Sequence, residues 1–172
     1  LIPLINEDED KAIKSATDLI EKFNKKYEEK WLNMMRNKLG LLGEDKKDKF
    51  LIIDLLTWMH QNKVDYTNTF CHLMGLKEFD DDLYKDNNFQ NWKKNWQERL
   101  ELNNNGPKKY IDLMKGVNPL VIPRNHKIEE SLEAANNNNL EPCNKLLKIL
   151  KRPYVEQPNI SDYLKMDESS KE

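Results

Sequence analysis

The sequence predicts an all-α protein, an irregular bundle of about six to seven helices with an extended C-terminal tail. Three observations carry that reading. Glycine is scarce, with five in 172 residues. Alternating runs of β-branched residues are almost absent. Apolar residues recur at three- and four-residue steps along most of the chain, the spacing of one helix face. A composition of 38% hydrophobic and 34% charged residues suits amphipathic helices with wide solvated faces. The length fits one domain or the end of a larger one, with enough chain to bury a core.

The first helix is expected over residues 8–39, where Ile13, Ala16, Leu19, Ile20, Phe23, Tyr27, Trp31 and Met35 form one apolar stripe. The acidic run at 7–10 favours the positive end of the helix dipole, and Gly40 can close the helix in a left-handed conformation. A helix of this length spans roughly 45 Å and needs several neighbours to cover it. The second is expected over 45–62, with Leu51, Ile52, Leu55, Leu56, Trp58 and Met59 making it apolar around much of its circumference and therefore central. Asp65 is placed to cap a short third helix that ends at Gly75. A polar connection, KEFDDDLYKDNN, leads to a fourth helix over 88–103, with Phe89, Trp92, Trp96 and Leu100 on one face.

NNNGP breaks that helix, and Pro107 suits the first turn of a fifth, which carries Tyr110, Ile111 and Met114 and ends at Gly116. Pro119 and Pro123 push their predecessors out of the helical region, so residues 117–122 are extended. Pro123 can open a sixth helix through Ala135, with Ile128, Leu132 and Ala135 inward. NNNN is a surface turn. Pro142 opens a seventh helix, with Leu146, Leu147 and Leu150 inward, and Pro153 stops it. Residues 154–172 show little pattern.

The formal charge of 28 − 30 = −2 disfavours nucleic acid as a partner. Cys71 and Cys143 are far apart and form no CxxC, so no zinc site or disulfide framework is expected and a reducing cytoplasm is the default. Cys143, near a helix start, is the better redox candidate of the two. No apolar run approaches the ~20 residues that span a bilayer. LIPLINEDED lacks the basic and long apolar regions of a signal peptide, and its apolar, Met-less start is what a piece cut from a longer protein would show.

Few stretches look like chemistry. In NPLVIPRNH, residues 118–126, Arg124 could grip phosphate and Asn125 and His126 could bind a ligand. A kinase catalytic loop, however, needs an Asp before the Asn and another further on, and neither is present. A first helical turn over Pro123, Arg124 and Asn125 is the favoured reading. FDDDLYKDNN lacks the central Gly and final Glu of a calcium loop. His60 and His72 have no acidic partner at a metal-ligand step, and no HExxH, GxSxG, P-loop or GxGxxG occurs. In NWKKNWQERL, Trp92 and Trp96 are in phase with Phe89 and Leu100, which favours core packing over stacking on a nucleic acid.

Several stretches match one family in order and spacing: KLGL at 38–41, DYTNTF at 65–70, WKKNWQERL at 92–100, MKGVNPLVIPRN at 114–125, IEESLEAA at 128–135 and LLKILKRPYVEQP at 146–158. The set resembles the C-terminal third of selenoprotein O, called YdiU in bacteria, over most of residues 1–164. The resemblance implies a kinase-fold adenylyltransferase that moves AMP from ATP to Ser, Thr or Tyr hydroxyls of other proteins with Mg2+ or Mn2+. That family's nucleotide loop, lysine and metal-binding Asn and Asp lie in the preceding two-thirds, so no catalytic, cofactor-binding or metal-binding residue carries over to this chain.

What carries over is a set of candidate structural or interface residues: Asp65 and Tyr66; Trp92, Trp96 and Arg99; Asn118, Pro119, Arg124 and Asn125; Gln157 and Pro158. Arg124 and Asn125 are expected to fix the angle of the sixth helix and help it meet the kinase-like core. On this reading residues 1–153 are the helical C-terminal region of a larger kinase-fold protein, and 154–172 an extended or poorly ordered tail. The family's cysteine- or selenocysteine-containing tail has no counterpart in MDESSKE, so tail-dependent redox control is not expected. The implied partners are the protein's own N-terminal kinase-like core and, through the whole enzyme, protein substrates in a bacterial cytoplasm. Neither nucleic acid nor membrane is among them. The rival from another class is a stand-alone helical module that binds a partner protein through an exposed apolar face.

Overall fold

The computed structural model describes residues 2–76, 79, 82–102 and 106–166. Among them are eight α-helices and no strand: α1 (Glu9–Lys38), α2 (Asp48–Gln61), α3 (Tyr66–Leu73), α4 (Asn87–Glu101), α5 (Gly106–Val117), α6 (Asn125–Asn136), α7 (Glu141–Leu150) and α8 (Ser161–Leu164). The chain forms two units, Leu1–Arg36 and Asn37–Glu172.

The first unit is built on α1. Asp8 starts the helix: its carboxylate accepts the Lys11 N–H at 3.2 Å and pairs with the Lys11 ammonium at 3.0 Å. Those bonds hold the Asp8 carboxyl below the usual carboxylate range. Ala12 and Met35 are buried. Along the apolar stripe Ile13, Leu19, Ile20, Phe23 and Tyr27 are exposed. Amphipathic spacing shows that a face is meant to be buried, not which part of a protein buries it.

The second unit holds the core. Gly40 ends α1 with φ +70°, and a Cβ there would lie 3.0 Å from the Tyr110 Cβ and carbonyl oxygen of α5. Both the backbone angle and the close approach therefore require glycine. α2 starts three residues later than its pattern predicts, since Asp45 spends its carboxylate on the Lys47 N–H at 2.7 Å and closes a turn first. Ile52, Leu55, Trp58 and Met59 are buried.

α2 packs on α4 through aromatic rings. Trp58 and Phe89 stand 4.6 Å apart between centroids, and Phe89, Trp92 and Trp96 continue in a stack at 5.7 and 6.0 Å. Each indole N–H has a partner: Trp58 donates to the Asp86 carboxylate (2.9 Å), Trp92 to the Leu51 carbonyl (2.7 Å) and Trp96 to the Leu39 carbonyl (2.8 Å). Asp86 also caps α4 by accepting the Phe89 N–H at 3.1 Å. These bonds hold its carboxyl below the ordinary value, the backbone amide of Phe89 contributing most. His72 lies flat against Tyr84 at 3.9 Å as one more ring of this cluster. His60 is exposed.

In the polar connection, Asp82–Lys85 forms a 3-10 turn with Tyr84 buried. Lys77, Glu78, Asp80 and Asp81 lie outside the described residues, as do 103–105 in NNNGP and the expected end of the fourth helix at Asn103. α5 buries Met114 and runs one residue past Gly116.

Three expectations are corrected at α6 and α7. α6 begins at Asn125, with Arg124 extended at φ −74°, ψ 137°, so Pro123 and Arg124 precede the first turn rather than form it. Leu132 is exposed, and Ser131 takes the inward position beside half-buried Ile128 and Ala135. In α7, Leu146 and Ile149 are buried and Leu147 is exposed. α6 and α7 form a helical hairpin and cover each other along a narrow seam, so residues one turn-quarter off that seam face water. The NNNN turn is exposed, with Asn138 at φ +60°. The tail returns to the unit: the Leu120 N–H donates to the Pro153 carbonyl at 2.7 Å, and Leu164 of α8 is buried.

Candidate functional site

The polar side chains of the second unit converge on three clamps. In the first, the extended backbone imposed by Pro119 and Pro123 delivers Arg124 to the N-terminus of α3. Its guanidinium donates to the Asp65 carboxylate at 2.7 Å and to the Asn68 side-chain oxygen at 2.9 Å. The other Asp65 oxygen accepts the Asn68 N–H at 2.7 Å and caps α3. The Asn68 amide then donates to the Leu164 carbonyl at 3.2 Å. One cluster thus ties α3, α6 and α8. The Arg124 and Asp65 side chains are 10% and 13% exposed, so water screens the pair little. The Arg124 Nε is buried without a hydrogen-bond partner.

In the second clamp Arg99 donates to Asp48 through Nε at 2.7 Å and Nη2 at 3.3 Å, and to the Leu42 and Gly43 carbonyls at 3.4 Å. Asp48 is fully buried. It also accepts the Asp45 N–H at 2.9 Å, fastening the start of α2 to the end of α4. In the third, Asn118 donates to the Lys38 carbonyl at 2.8 Å and accepts the Lys38 ammonium at 3.1 Å. That ammonium lies over the Phe70 and Tyr66 rings at 4.8 and 5.3 Å. Burial pushes the lysine down and the Tyr66 hydroxyl up from their ordinary values.

The remaining candidates fall around these clamps. Trp92 and Trp96 are core. The Pro119 carbonyl accepts from the Cys71 thiol at 3.6 Å. Burial, aided by the Asp65 charge and opposed by Lys38 and Arg124, pushes that thiol up to about 12. It is a packing group, not a nucleophile. Cys143 is half-buried. Gln157 closes the end of α7 by donating to the Ile149 and Arg152 carbonyls at 3.1 and 2.8 Å. Asn125 and Pro158 are exposed.

Sequence reasoning missed Asp48, Asn68 and Lys38. Each looks like an ordinary polar residue in its stretch, and only its long-range partner marks it. A groove of about 610 Å³ between α2 and α4 is lined by Asp45, Phe50, Asp54, Glu98 and Leu102. A smaller hollow of about 290 Å³ lies beside Leu120, Gln157 and Leu164. Among the described residues no three His, Cys, Asp or Glu side chains could hold a metal ion.

Taken together, the fold and its clamps define a helical region in which Asp48, Asp65, Asn68, Arg99, Asn118 and Arg124 join helices. The sequence profile described as Protein adenylyltransferase SelO matches residues 4–151. The protein nucleotidyltransferase YdiU of Pelagibacter ubique (strain HTCC1062) is 56% identical over 155 residues, which are 90% of this chain and 32% of that protein. The YdiU proteins of Alcanivorax borkumensis and Bacillus cereus (strain AH820) are each 41% identical over 164 residues, 95% of this chain and 34% of theirs. The chain belongs to the SelO protein adenylyltransferase family, and it spans about a third of the length of the curated relatives it matches.

The family implies ATP and a divalent cation, and the larger groove does not fit them. Its lining sets the carboxylates of Asp45, Asp48, Asp54 and Glu98 against two cations, Lys47 and Arg99, of which Arg99 is already paired with Asp48, and among the described residues no cluster of three His, Cys, Asp or Glu could hold a metal ion.

Proposed function

We propose that these residues form the helical C-terminal region of a longer bacterial protein that transfers AMP from ATP to Ser, Thr or Tyr hydroxyls of other proteins. In this reading Mg2+ or Mn2+ and the nucleotide are held outside this chain, which braces the portion that holds them. The bacterial cytoplasm, which supplies ATP, is the proposed location. The observation that carries the reading is the family match over residues 4–151 in a chain a third of its relatives' length. The clamps support the bracing role, since the Arg99 Nε and the two terminal nitrogens of Arg124 donate inside the chain.

The test is transfer of label from ATP. The longer protein should label a protein substrate, and the 172-residue chain should label none. Labelling by the short chain would overturn the reading. A second reading, a stand-alone interaction module, is favoured by the open stripe of α1. The coding frame upstream of Leu1 separates the two: a Gly-rich loop, a lysine and a metal-binding Asn and Asp support the first, a start codon the second.

A further inference from the structure

We propose that the open stripe of α1 is the face on which the nucleotide-handling portion of the longer protein docks. The proposal rests on the function proposed above and names the surface involved. Ile13, Ala16, Ile20, Phe23 and Tyr27 follow one another at steps of three and four, the seam spacing of a helix that packs along a partner. Leu19 widens the seam. Ile20, Phe23 and Tyr27 are 63%, 64% and 61% exposed. Phe23 and Tyr27 stack on each other at 6.2 Å, a ready-formed aromatic pair. Rings of this kind bury about 150–250 Å² each when covered. A contiguous apolar face of this size marks an interaction site.

The occupant follows from length and connection. About two-thirds of each relative lies outside the matched stretch, and the resemblance puts that portion ahead of Leu1. On that reading the outer portion and α1 belong to one polypeptide. A tether within one chain raises the local concentration to as much as roughly millimolar, well above that of a second copy at micromolar protein. Exposed charges beside the seam carry both signs, as Glu21, Lys22, Lys26 and Glu28 show. A one-sign surface such as a nucleic acid or an anionic membrane therefore fits poorly. An apolar groove between helices, filled by anchors at i, i+3, i+4 and i+7, fits well.

The test uses the longer protein with Phe23→p-benzoylphenylalanine, irradiated and mapped by mass spectrometry. Crosslinks should land on peptides outside these 172 residues and persist on hundredfold dilution. Crosslinks within residues 37–172, a dimer that fades on dilution, or no crosslinked peptide would each overturn the proposal. The double substitution Ile20→Ser with Phe23→Ser supplies an independent reading. In the longer protein, amide exchange over residues 13–27 should quicken at least tenfold, and unchanged exchange would also overturn it. Crosslinks to the outer portion in a protein that moves no AMP would leave docking intact and sink the proposed function. AMP transfer without those crosslinks would do the reverse.

Discussion

Replacing Arg99 with methionine should lower the unfolding midpoint of the chain by on the order of 10 °C. Methionine keeps much of the length of the side chain and removes its charge and all its donors. Asp48 is fully buried and Arg99 is 6% exposed, so the carboxylate would stay in the interior without the guanidinium now 2.7 Å away. The Leu42 and Gly43 carbonyls would lose the same donor at 3.4 Å. Removing one member of a buried pair costs about 3–5 kcal/mol. At ~2–4 °C per kcal/mol for a chain of this size, the fall is roughly 6–20 °C. Circular dichroism and tryptophan fluorescence should report it together, because Trp92 and Trp96 share α4 with Arg99. Adding Asp48→Leu should recover much of the loss, since no orphaned charge then remains. The control is Lys165→Met, whose pair with Asp162 has both side chains more than 70% exposed. Exposed pairs contribute about 0–1 kcal/mol. If Arg99→Met costs no more than Lys165→Met, the clamp does not hold α2 to α4.

Asp65→Ala removes both the α3 cap and the partner of Arg124, and should cost at least about 3 kcal/mol in thermal or urea unfolding. Asp65→Asn keeps an acceptor for the Asn68 N–H and should cost less. Gly40→Ala should cost more than about 2 kcal/mol, because left-handed strain adds to a 3.0 Å contact with Tyr110; a neutral result would remove the close approach of α5. Cys71, raised to about 12, stays protonated in the folded chain. A disulfide reagent at pH 8 should therefore modify Cys143 readily and Cys71 only on unfolding. The unfolded thiol loses its proton near its ordinary value of 9.0 while the folded one keeps it. Stability from this group is thus full below pH 9 and declines as pH rises from 9 towards 12, and a Cys71→Ala variant should lose that alkaline slope.

Much of the fold was legible because its signals are local. Stripes at three- and four-residue steps mark most of the long helices, and the Asp65 cap with the Gly75 stop marks the third. Asp65 as a cap, Gly40 as a stop and Pro142 in a first turn follow from backbone chemistry within a few residues. The errors share a cause. The spacing places Leu132 and Leu147 inward, yet both are exposed, because spacing gives a face but not its neighbour. The pattern places Pro123 and Arg124 in a first helical turn, yet Arg124 is extended to reach Asp65, 59 residues away. The family resemblance picked out DYTNTF and NPLVIPRN as separate stretches. Their meeting through Arg124, Asp65 and Asn68 is a long-range fact that no spacing records.

The most direct test of the bracing role is to divide the longer protein just ahead of Leu1. The nucleotide-handling portion alone should lose at least tenfold in AMP transfer, and adding the 172-residue chain back in trans should restore part of it. Full transfer by the isolated portion, with no response to the added chain, would contradict the account.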